Sequence, residues 1–271
     1  GYATASLIFT NMKPLAFLLS LITASMANAS TDTGATASSG ASGAECVVLL
    51  HGLARTDASM RLLQEVLEFH GYRVINDGYP SQDAPISELV TYVERSAARC
   101  GDARLNFVTH SLGGILVRAW LANGLPPNLG RVVMLAPPNR GSEIVDTLSE
   151  NDTLRRAMIW INGPAVPELG TGSGSVPNSL PPSVDFELGV IAGDLPINPL
   201  GSFVIDGPND GTVSVESTRI DGMADHIVLN TTHSLIMLNP LVIAEVLEFL
   251  RNGVFDHGIT LPAALRKLAN P

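Results

Sequence analysis

The sequence predicts an α/β protein built on a mostly parallel sheet of about six strands, with helices on both faces. Two patterns support this fold class. Short apolar stretches alternate with longer amphipathic stretches from residue 45 to about residue 252. The short stretches are apolar throughout, as in strands that are buried on both faces. Such alternation is typical of a sheet with crossover helices, and the 45% hydrophobic composition supplies a core for it.

The first half of the alternation contains three strands and three helices. CVVLLHG is too short for a helix and rich in β-branched residues, so it is predicted to be a buried strand. Strands are expected at 46–52, 72–77 and 104–110. The helices are delimited by capping and stop residues: Thr56 or Asp57 to Gly71, Pro85 to Gly101, and Gly113 to Asn123.

The second half continues the pattern, with strands expected at 131–138, 187–194 and 226–230. A final helix is predicted from Asn239-Pro240 to Gly253. Residues 253–271 follow it as a C-terminal tail, for which a short docked helix and a trailing segment are both open.

Residues 139–185 interrupt the alternation. One or two short helices are expected in 142–161, and the part after them is crowded with Gly, Pro and Ser. Loops of this length inside a compact domain are usually functional, for example as a lid. The alternative is a structural excursion over one edge of the sheet.

The amino-terminal 29 residues have the pattern of an export signal. Residues 1–11 precede Met12 and resemble translated upstream sequence, and Lys13 is followed by an apolar run and by Ala27-Asn28-Ala29. This pattern predicts a signal peptide cleaved after Ala29, and so a secreted or periplasmic protein. The apolar run is too short to span a bilayer, although an uncleaved anchor remains the alternative. Residues 30–44 are rich in Ser, Thr, Ala and Gly and are expected to be a disordered linker.

Charge and composition exclude several kinds of partner. The net charge of −10 disfavours nucleic acid as a partner, because an acidic chain repels the phosphate backbone. Because no clustered set of metal ligands is recognisable, neither a metal nor another cofactor is expected.

The two cysteines, Cys46 and Cys100, are expected to form a disulfide in an exported protein, with two buried free thiols as the alternative. In the chain-entropy model the bridge would contribute roughly 4 kcal/mol.

The candidate nucleophile lies in the stretch NFVTHSLGGI. Ser111 follows a predicted strand and precedes a predicted helix, with Gly113 two residues later. A serine on such a sharp turn exposes its hydroxyl at the carboxyl ends of the strands, as in the G-x-S-x-G nucleophile elbow. Thr109 departs from that pattern, but its modest size should allow the turn. The alternative is a serine that only caps the helix.

A nucleophilic serine needs a base, an acid and oxyanion donors. His233, which follows the sixth strand, is the expected base, with an ordinary surface histidine as the alternative. Asp194, Asp206 and Asp210 are candidate acids, and the Asp210-Gly211 turn favours Asp210. The main-chain N–H groups of Leu53 and Leu112 are the expected oxyanion donors.

Five segments together resemble the α/β-hydrolase superfamily: LLHGL, VTHSLGGILVR, PPNRGSE, GPNDGTVSVEST and THSLIM. They are most similar to bacterial secreted lipases and esterases, in particular to lipase class 2 and GPI-inositol-deacylase-like sequences. The resemblance covers about residues 45–252. It implies a reduced α/β-hydrolase fold that lacks the first two of eight strands. In that strand order the strands that follow Cys46 and Cys100 are neighbours, which supports the disulfide.

The same resemblance implies a carboxylic-ester hydrolase, esterase or lipase, that uses Ser111, Asp210 and His233. Asp210 would be the D of a D-G-x-V motif. The substrate would be a small-molecule or lipid ester, and no stable membrane span would remain after signal cleavage. Thioesterases, amidases and acyltransferases use the same triad, and a non-catalytic binding protein is a further alternative. Residues 158–161, MIWI, could be an apolar lid surface or the core of the excursion, and core is the preferred interpretation.

Overall fold

The fold is known from a computed structural model that describes residues 45–197 and 199–271. In this part of the chain six strands form one sheet in the order β2-β1-β3-β4-β5-β6. All neighbouring strands are parallel, so the sheet is more uniform than the predicted mostly parallel one. The strands are β1 Cys46–Leu50, β2 Arg73–Ile75, β3 Leu105–His110, β4 Leu129–Leu135, β5 Leu188–Gly193 and β6 Asp225–Leu229.

Helices fill the connections between the strands. Short 3₁₀ turns lie at Asp57–Met60, Val166–Leu169 and Ile236–Leu238. The α-helices are α1 Arg61–Phe69, α2 Ile86–Ala98, α3 Leu112–Leu121, α4 Glu143–Ser149, α5 Asp152–Asn162, α6 Val176–Ser179, α7 Pro199–Val204, α8 Pro240–Asn252 and α9 Leu261–Ala269.

The sheet divides the core into two apolar layers. On β1, Cys46, Val48 and Leu50 face the layer formed with α2 and α3. The alternating residues Val47 and Leu49 face the opposite layer, formed with α1, α8 and α9. This alternation is the two-residue period of a strand, and it explains why β1 is apolar at every position.

The strand order places the loop after β1 next to the turn after β3. The chain leaves β1 to form β2 on one side, then returns to form β3 on the other side of β1. Ligand sites of open parallel sheets lie at the carboxyl ends of the strands where the order reverses in this way. The loop after β1 and the turn after β3 are therefore adjacent at that edge.

Cys46 and Cys100 form a disulfide, with their Cα atoms 5.6 Å apart. Cys46 begins β1, and Cys100 lies between α2 and β3. Because β1 and β3 pair directly, the predicted adjacency of these strands is correct. The bridge lies at the amino-terminal edge of the sheet, away from the edge that carries the candidate site.

The segments outside the sheet are ordered helices. The expected short helices of 142–161 are α4 and α5, and the C-terminal tail contains α9, which packs against α8. Across the described residues, no helix has both the length and the apolar character to span a bilayer. The predicted signal peptide and the linker, residues 1–44, lie outside the described residues.

Candidate active site

Ser111 lies on the sharp turn between β3 and α3. Its backbone has φ 51° and ψ −118°, a conformation that is uncommon for any residue except glycine. The Ser111 N–H donates a hydrogen bond to the Leu135 carbonyl at the end of β4. This bond anchors the turn to the neighbouring strand, so the strained backbone is held in place by the sheet.

The close approach of backbones at this turn is made by the residues after the serine. A Cβ atom on Gly113 would lie 2.6 Å from the Leu50 carbonyl oxygen of β1, which leaves no room for a side chain. A Cβ on Gly114 would lie 3.3 Å from Oγ1 of Thr109. Thr109 itself is buried in β3 without closing the turn. The turn therefore accommodates a threonine at position 109 and requires a glycine at position 113.

The structure brings Ser111, His233 and Asp210 together. Nε2 of His233 lies 3.0 Å from Oγ of Ser111, and Nδ1 of His233 lies 2.7 Å from Oδ2 of Asp210. Since a carboxylate can only accept, Nδ1 carries the proton and Nε2 is free to accept from the serine hydroxyl. The imidazole is therefore in the tautomer that a general base for Ser111 requires.

Asp210 is held by its own turn. Its Oδ1 accepts hydrogen bonds from the Thr212 N–H at 3.0 Å and the Val213 N–H at 2.8 Å. Its main-chain carbonyl accepts from the His233 N–H at 3.0 Å. Because the side chain is almost fully buried, these bonds keep Oδ2 directed at the imidazole. The two residues that follow the Asp210-Gly211 dipeptide supply the donors to Oδ1.

The other candidate acids lie elsewhere. Asp206 is exposed in the loop before the turn. Asp194 accepts a hydrogen bond from the side chain of Asn230 at 3.1 Å. In the described part of the chain, His233 forms its ion pair with Asp210 and not with either of these two residues. The remaining histidines also have other partners: His226 bonds Thr218, and His257 pairs with Asp225.

The loop after β1 runs directly against the nucleophile. A Cβ on Gly52 would lie 2.6 Å from Nδ1 of His110 and 3.2 Å from Cβ of Ser111. Leu53 follows, and Ala54 has a positive φ of 52°. Within the described ranges, the main-chain N–H groups of Leu53 and Leu112 donate to no protein acceptor. Both groups therefore remain the candidate oxyanion donors.

His51 and Tyr79 brace this loop, a feature that the sequence analysis missed. Their rings stack 4.1 Å apart, and Tyr79 Oη donates a hydrogen bond to the His51 carbonyl at 2.5 Å. Nε2 of His51 accepts from the Tyr79 N–H at 3.3 Å, so Nδ1 carries the proton and donates to the Gly52 carbonyl. Burial lowers the pKa of His51, which keeps the ring neutral for this pair of bonds. A histidine beside the turn glycine was the only sequence signal.

A cavity of about 390 Å³ opens beside Ser111. Its far wall is apolar and is built by α4, α5 and the 3₁₀ turn that follows. The wall consists of Ile144, Val145, Leu148, Met158, Val166 and Leu169. Of these six residues, only Met158 belongs to a segment that the sequence singled out within the excursion. The spacing of Ile144, Val145 and Leu148 on one helical face is the signal that could have found the others.

The MIWI segment divides between the core and the surface. Met158 is 5% exposed and lines the cavity, as the preferred core interpretation requires. Trp160 is 87% exposed and Ile161 is 56% exposed, so the core interpretation is wrong for these two residues. The α5 helix turns one face to the cavity and the other to solvent, because residues two positions apart lie on opposite sides of a helix.

No group of three or more His, Cys, Asp or Glu side chains suited to a metal occurs in the described ranges 45–197 and 199–271.

Sequence comparison finds partial relatives, and no family model matches the chain. Triacylglycerol lipases of Pseudarthrobacter phenanthrenivorans and Burkholderia plantarii are each 32% identical to it over 116 residues. The match covers 38% of this chain, and 36% and 32% of the two lipases. The chain therefore matches about a third of the length of these curated relatives.

Structure comparison extends the likeness to most of the chain. The mature lipase BlEst2 of Bacillus licheniformis superposes with a TM-score of 0.61 at 20% identity, covering 76% of this chain and 92% of the lipase. Phospholipase PlaB of Legionella pneumophila gives 0.61 at 17% identity, covering 84% and 62%. A metagenomic carboxyl esterase gives 0.59 at 18% identity, covering 90% and 80%. The chain has the α/β-hydrolase fold that its motifs predicted.

Proposed function

We propose that this chain, with its α/β-hydrolase fold, is a serine hydrolase that cleaves carboxylic esters through Ser111, His233 and Asp210. The observation that carries the proposal is the continuous hydrogen-bonded series from Oγ of Ser111 to Nε2 of His233 and from Nδ1 to Oδ2 of Asp210. A serine hydroxyl is a weak nucleophile without a base, and this series supplies one that is already in the correct tautomer.

In the acylation step, Oγ of Ser111 attacks the ester carbonyl carbon while its proton passes to Nε2 of His233. The carbonyl oxygen becomes an oxyanion, which the N–H groups of Leu53 and Leu112 stabilise. Each such donor is worth on the order of 10²–10³ in rate. The C–O bond to the alcohol then breaks, and Nε2 returns the proton to the departing alkoxide.

In the deacylation step, a water takes the place of the alcohol. It transfers a proton to Nε2 of His233 as its oxygen attacks the acyl-serine carbonyl. The carboxylic acid leaves, and the proton returns to Oγ of Ser111. Asp210 holds the orientation of the imidazole through its hydrogen bond to Nδ1 and stabilises the imidazolium that forms in each step.

The cavity supports an ester with an apolar acyl group. Its wall of six aliphatic and methionine side chains ends beside Ser111, where the acyl carbon must lie. A pocket of this volume is at the small end of the range for ligand sites. Partial identity to triacylglycerol lipases, together with the fold shared with a lipase and a carboxyl esterase, supports the same substrate class.

The disulfide supports the proposal that the protein acts outside the cytoplasm. Disulfides persist in secreted and periplasmic proteins and are rare where thiols are kept reduced. Mass spectrometry of the mature protein would test this proposal, because cleavage after Ala29 would leave Ser30 as the first residue.

The function is tested with p-nitrophenyl hexanoate and a fluorophosphonate probe. Wild type should hydrolyse the ester and be labelled, and Ser111→Ala should fold normally, lose hydrolysis and remain unlabelled. Ser173→Ala is the matched control, because Ser173 is exposed and outside the cavity. Undiminished turnover by Ser111→Ala, or an inactive wild type, would reject the proposal.

A further inference from the structure

Arg55 gives the cavity an unusual charge. It is the only lysine, arginine, aspartate or glutamate among the residues that line the cavity in the described part of the chain. The chain as a whole carries a net charge of −10. Among the described lining residues, Arg55 therefore supplies the one permanent charge, which is positive, in a protein whose general field repels anions.

The guanidinium is held in place without an acidic partner. Nη2 of Arg55 donates to the Ser234 carbonyl at 3.3 Å. Arg99, Arg104, Arg131, Arg140, Arg155, Arg219 and Lys267 all form ion pairs. For Arg55, no carboxylate lies within ion-pair distance among residues 45–197 and 199–271. A half-buried arginine that bonds only one carbonyl keeps further N–H donors for a ligand.

The position of Arg55 relates it to the alcohol portion of an ester. The departing oxygen must face Nε2 of His233, because this atom protonates it. Ser234, which Arg55 contacts, is the residue after His233. Arg55 also follows Leu53, one of the two candidate oxyanion donors, by two residues. The apolar wall from α4 and α5 would then bind the acyl group. The acyl end of the ester would lie against apolar side chains, and the alcohol end would lie near a positive charge.

We propose that Arg55 selects esters whose alcohol portion carries an anionic group, either a carboxylate or a phosphate. This inference rests on the proposed function of the same site. Guanidinium binds the oxygens of both groups in a fork geometry, so the shared chemistry is a planar or tetrahedral oxyanion at the alcohol end. The role of Arg55 is to bind and position substrate, and it exchanges no proton.

The experiment compares three hexanoate esters that differ only at the para position of a phenol leaving group. One carries a carboxylate, one a phosphate and one a neutral carboxamide. For each ester, kcat and KM are measured for wild type, Arg55→Gln, Arg55→Lys and the control Arg73→Gln at low salt. Arg73 is exposed at the start of β2, on the opposite edge of the sheet. Comparing variants on one ester at a time removes the effect of leaving-group ability.

Arg55→Gln should lower kcat/KM for an anionic ester roughly three- to tenfold more than for the carboxamide, the size expected for a partly solvated ion pair. The loss should appear mainly in KM and should shrink in wild type as salt is added. Arg55→Lys should retain part of the preference, and Arg73→Gln should retain all of it. A loss on only one of the two anionic esters identifies whether carboxylate or phosphate is the group selected.

An equal loss on all three esters would overturn the inference, because Arg55 would then act only by holding the loop at Ser234. Hydrolysis of none of the esters by wild type would instead reject the proposed function, so the two failures are distinguishable.

Discussion

His110 donates a hydrogen bond from Nε2 to the main-chain carbonyl of His233, with the two atoms 3.0 Å apart. The two rings are 4.9 Å apart. His110 is the last residue of β3, immediately before Ser111, so this bond connects the strand that carries the candidate nucleophile to the loop that carries the candidate base. Burial holds the pKa of His110 well below its ordinary value, and the ring therefore stays neutral.

Loss of the hydrogen bond from His110 should make the position of His233 less well defined, while His233 itself remains in the site. We expect His110→Leu to lower kcat about fivefold, the rate equivalent of roughly 1 kcal/mol for a neutral hydrogen bond. His110→Gln places an amide N–H near the position of Nε2 and should recover part of the rate. Steady-state kinetics at several pH values would measure both variants. Equal rates for His110→Leu and wild type would show that the bond does not position His233.

Exchange of Asp210 for asparagine should reverse the tautomer of His233. The Thr212 and Val213 N–H groups would hold the amide oxygen, so the amide N–H₂ would face Nδ1 and the imidazole proton would move to Nε2. A protonated Nε2 cannot accept the Ser111 proton, and kcat should fall by about 10⁴. Asp206→Asn makes the same change at an exposed position of the same loop and should keep full activity. Full activity of Asp210→Asn together with a large loss in Asp206→Asn would identify Asp206 as the acid instead.

Met158 should set the length of the acyl group. It is buried and lines the cavity, whereas Trp160 on the same helix is exposed to solvent. Met158→Ala enlarges the far wall, and we expect the optimum of kcat/KM across p-nitrophenyl esters from acetate to laurate to move to longer chains. Trp160→Ala serves as the control and should leave the optimum in place. An unchanged profile in Met158→Ala would remove the apolar wall from the acyl-binding model.

Glu245 should make the stability of the protein depend on pH. This α8 residue is fully buried, its Oε2 accepts from the Asp256 N–H at 2.7 Å, and Oε1 has no partner in the described residues. Burial raises the pKa of Glu245 from 4.5 to about 7. The hydrogen bond from the Asp256 N–H and the charge of Lys267 oppose this rise, whereas the charges of Asp256 and Glu248 add to it. The native state thus keeps a proton that the unfolded chain releases.

The direction of this pH dependence of stability follows from proton linkage. Stability due to Glu245 is fully present below pH 4.5 and is lost as the pH rises to about 7, because the unfolded state binds fewer protons in that window. Between pH 5 and pH 8, the Tm of wild type should fall several degrees relative to Glu245→Gln. The exposed Glu94→Gln should follow wild type. Parallel Tm curves for wild type and Glu245→Gln would show that the buried carboxyl is already ionised at pH 5.

The sequence by itself determined the order and type of the elements. Apolar runs such as CVVLLHG predict buried strands because both faces of a parallel sheet are covered, and the cores on the two sides of β1 bear this out. Ser111, Asp210 and His233 could be named because turn chemistry places polar residues at strand ends. The Cys46–Cys100 bridge could be named because the chain offers only one pairing.

Only the tertiary structure decided what surrounds these residues. The apolar wall of Ile144, Val145 and Leu148, the stack of His51 on Tyr79 and the position of Arg55 beside Ser234 all join segments that are distant along the chain. Local pattern carries no information about such contacts, because a helix with one apolar face does not specify which cavity that face will line. Packing of α4 and α5 over the carboxyl edge of the sheet determines the shape of the cavity that Arg55 lines.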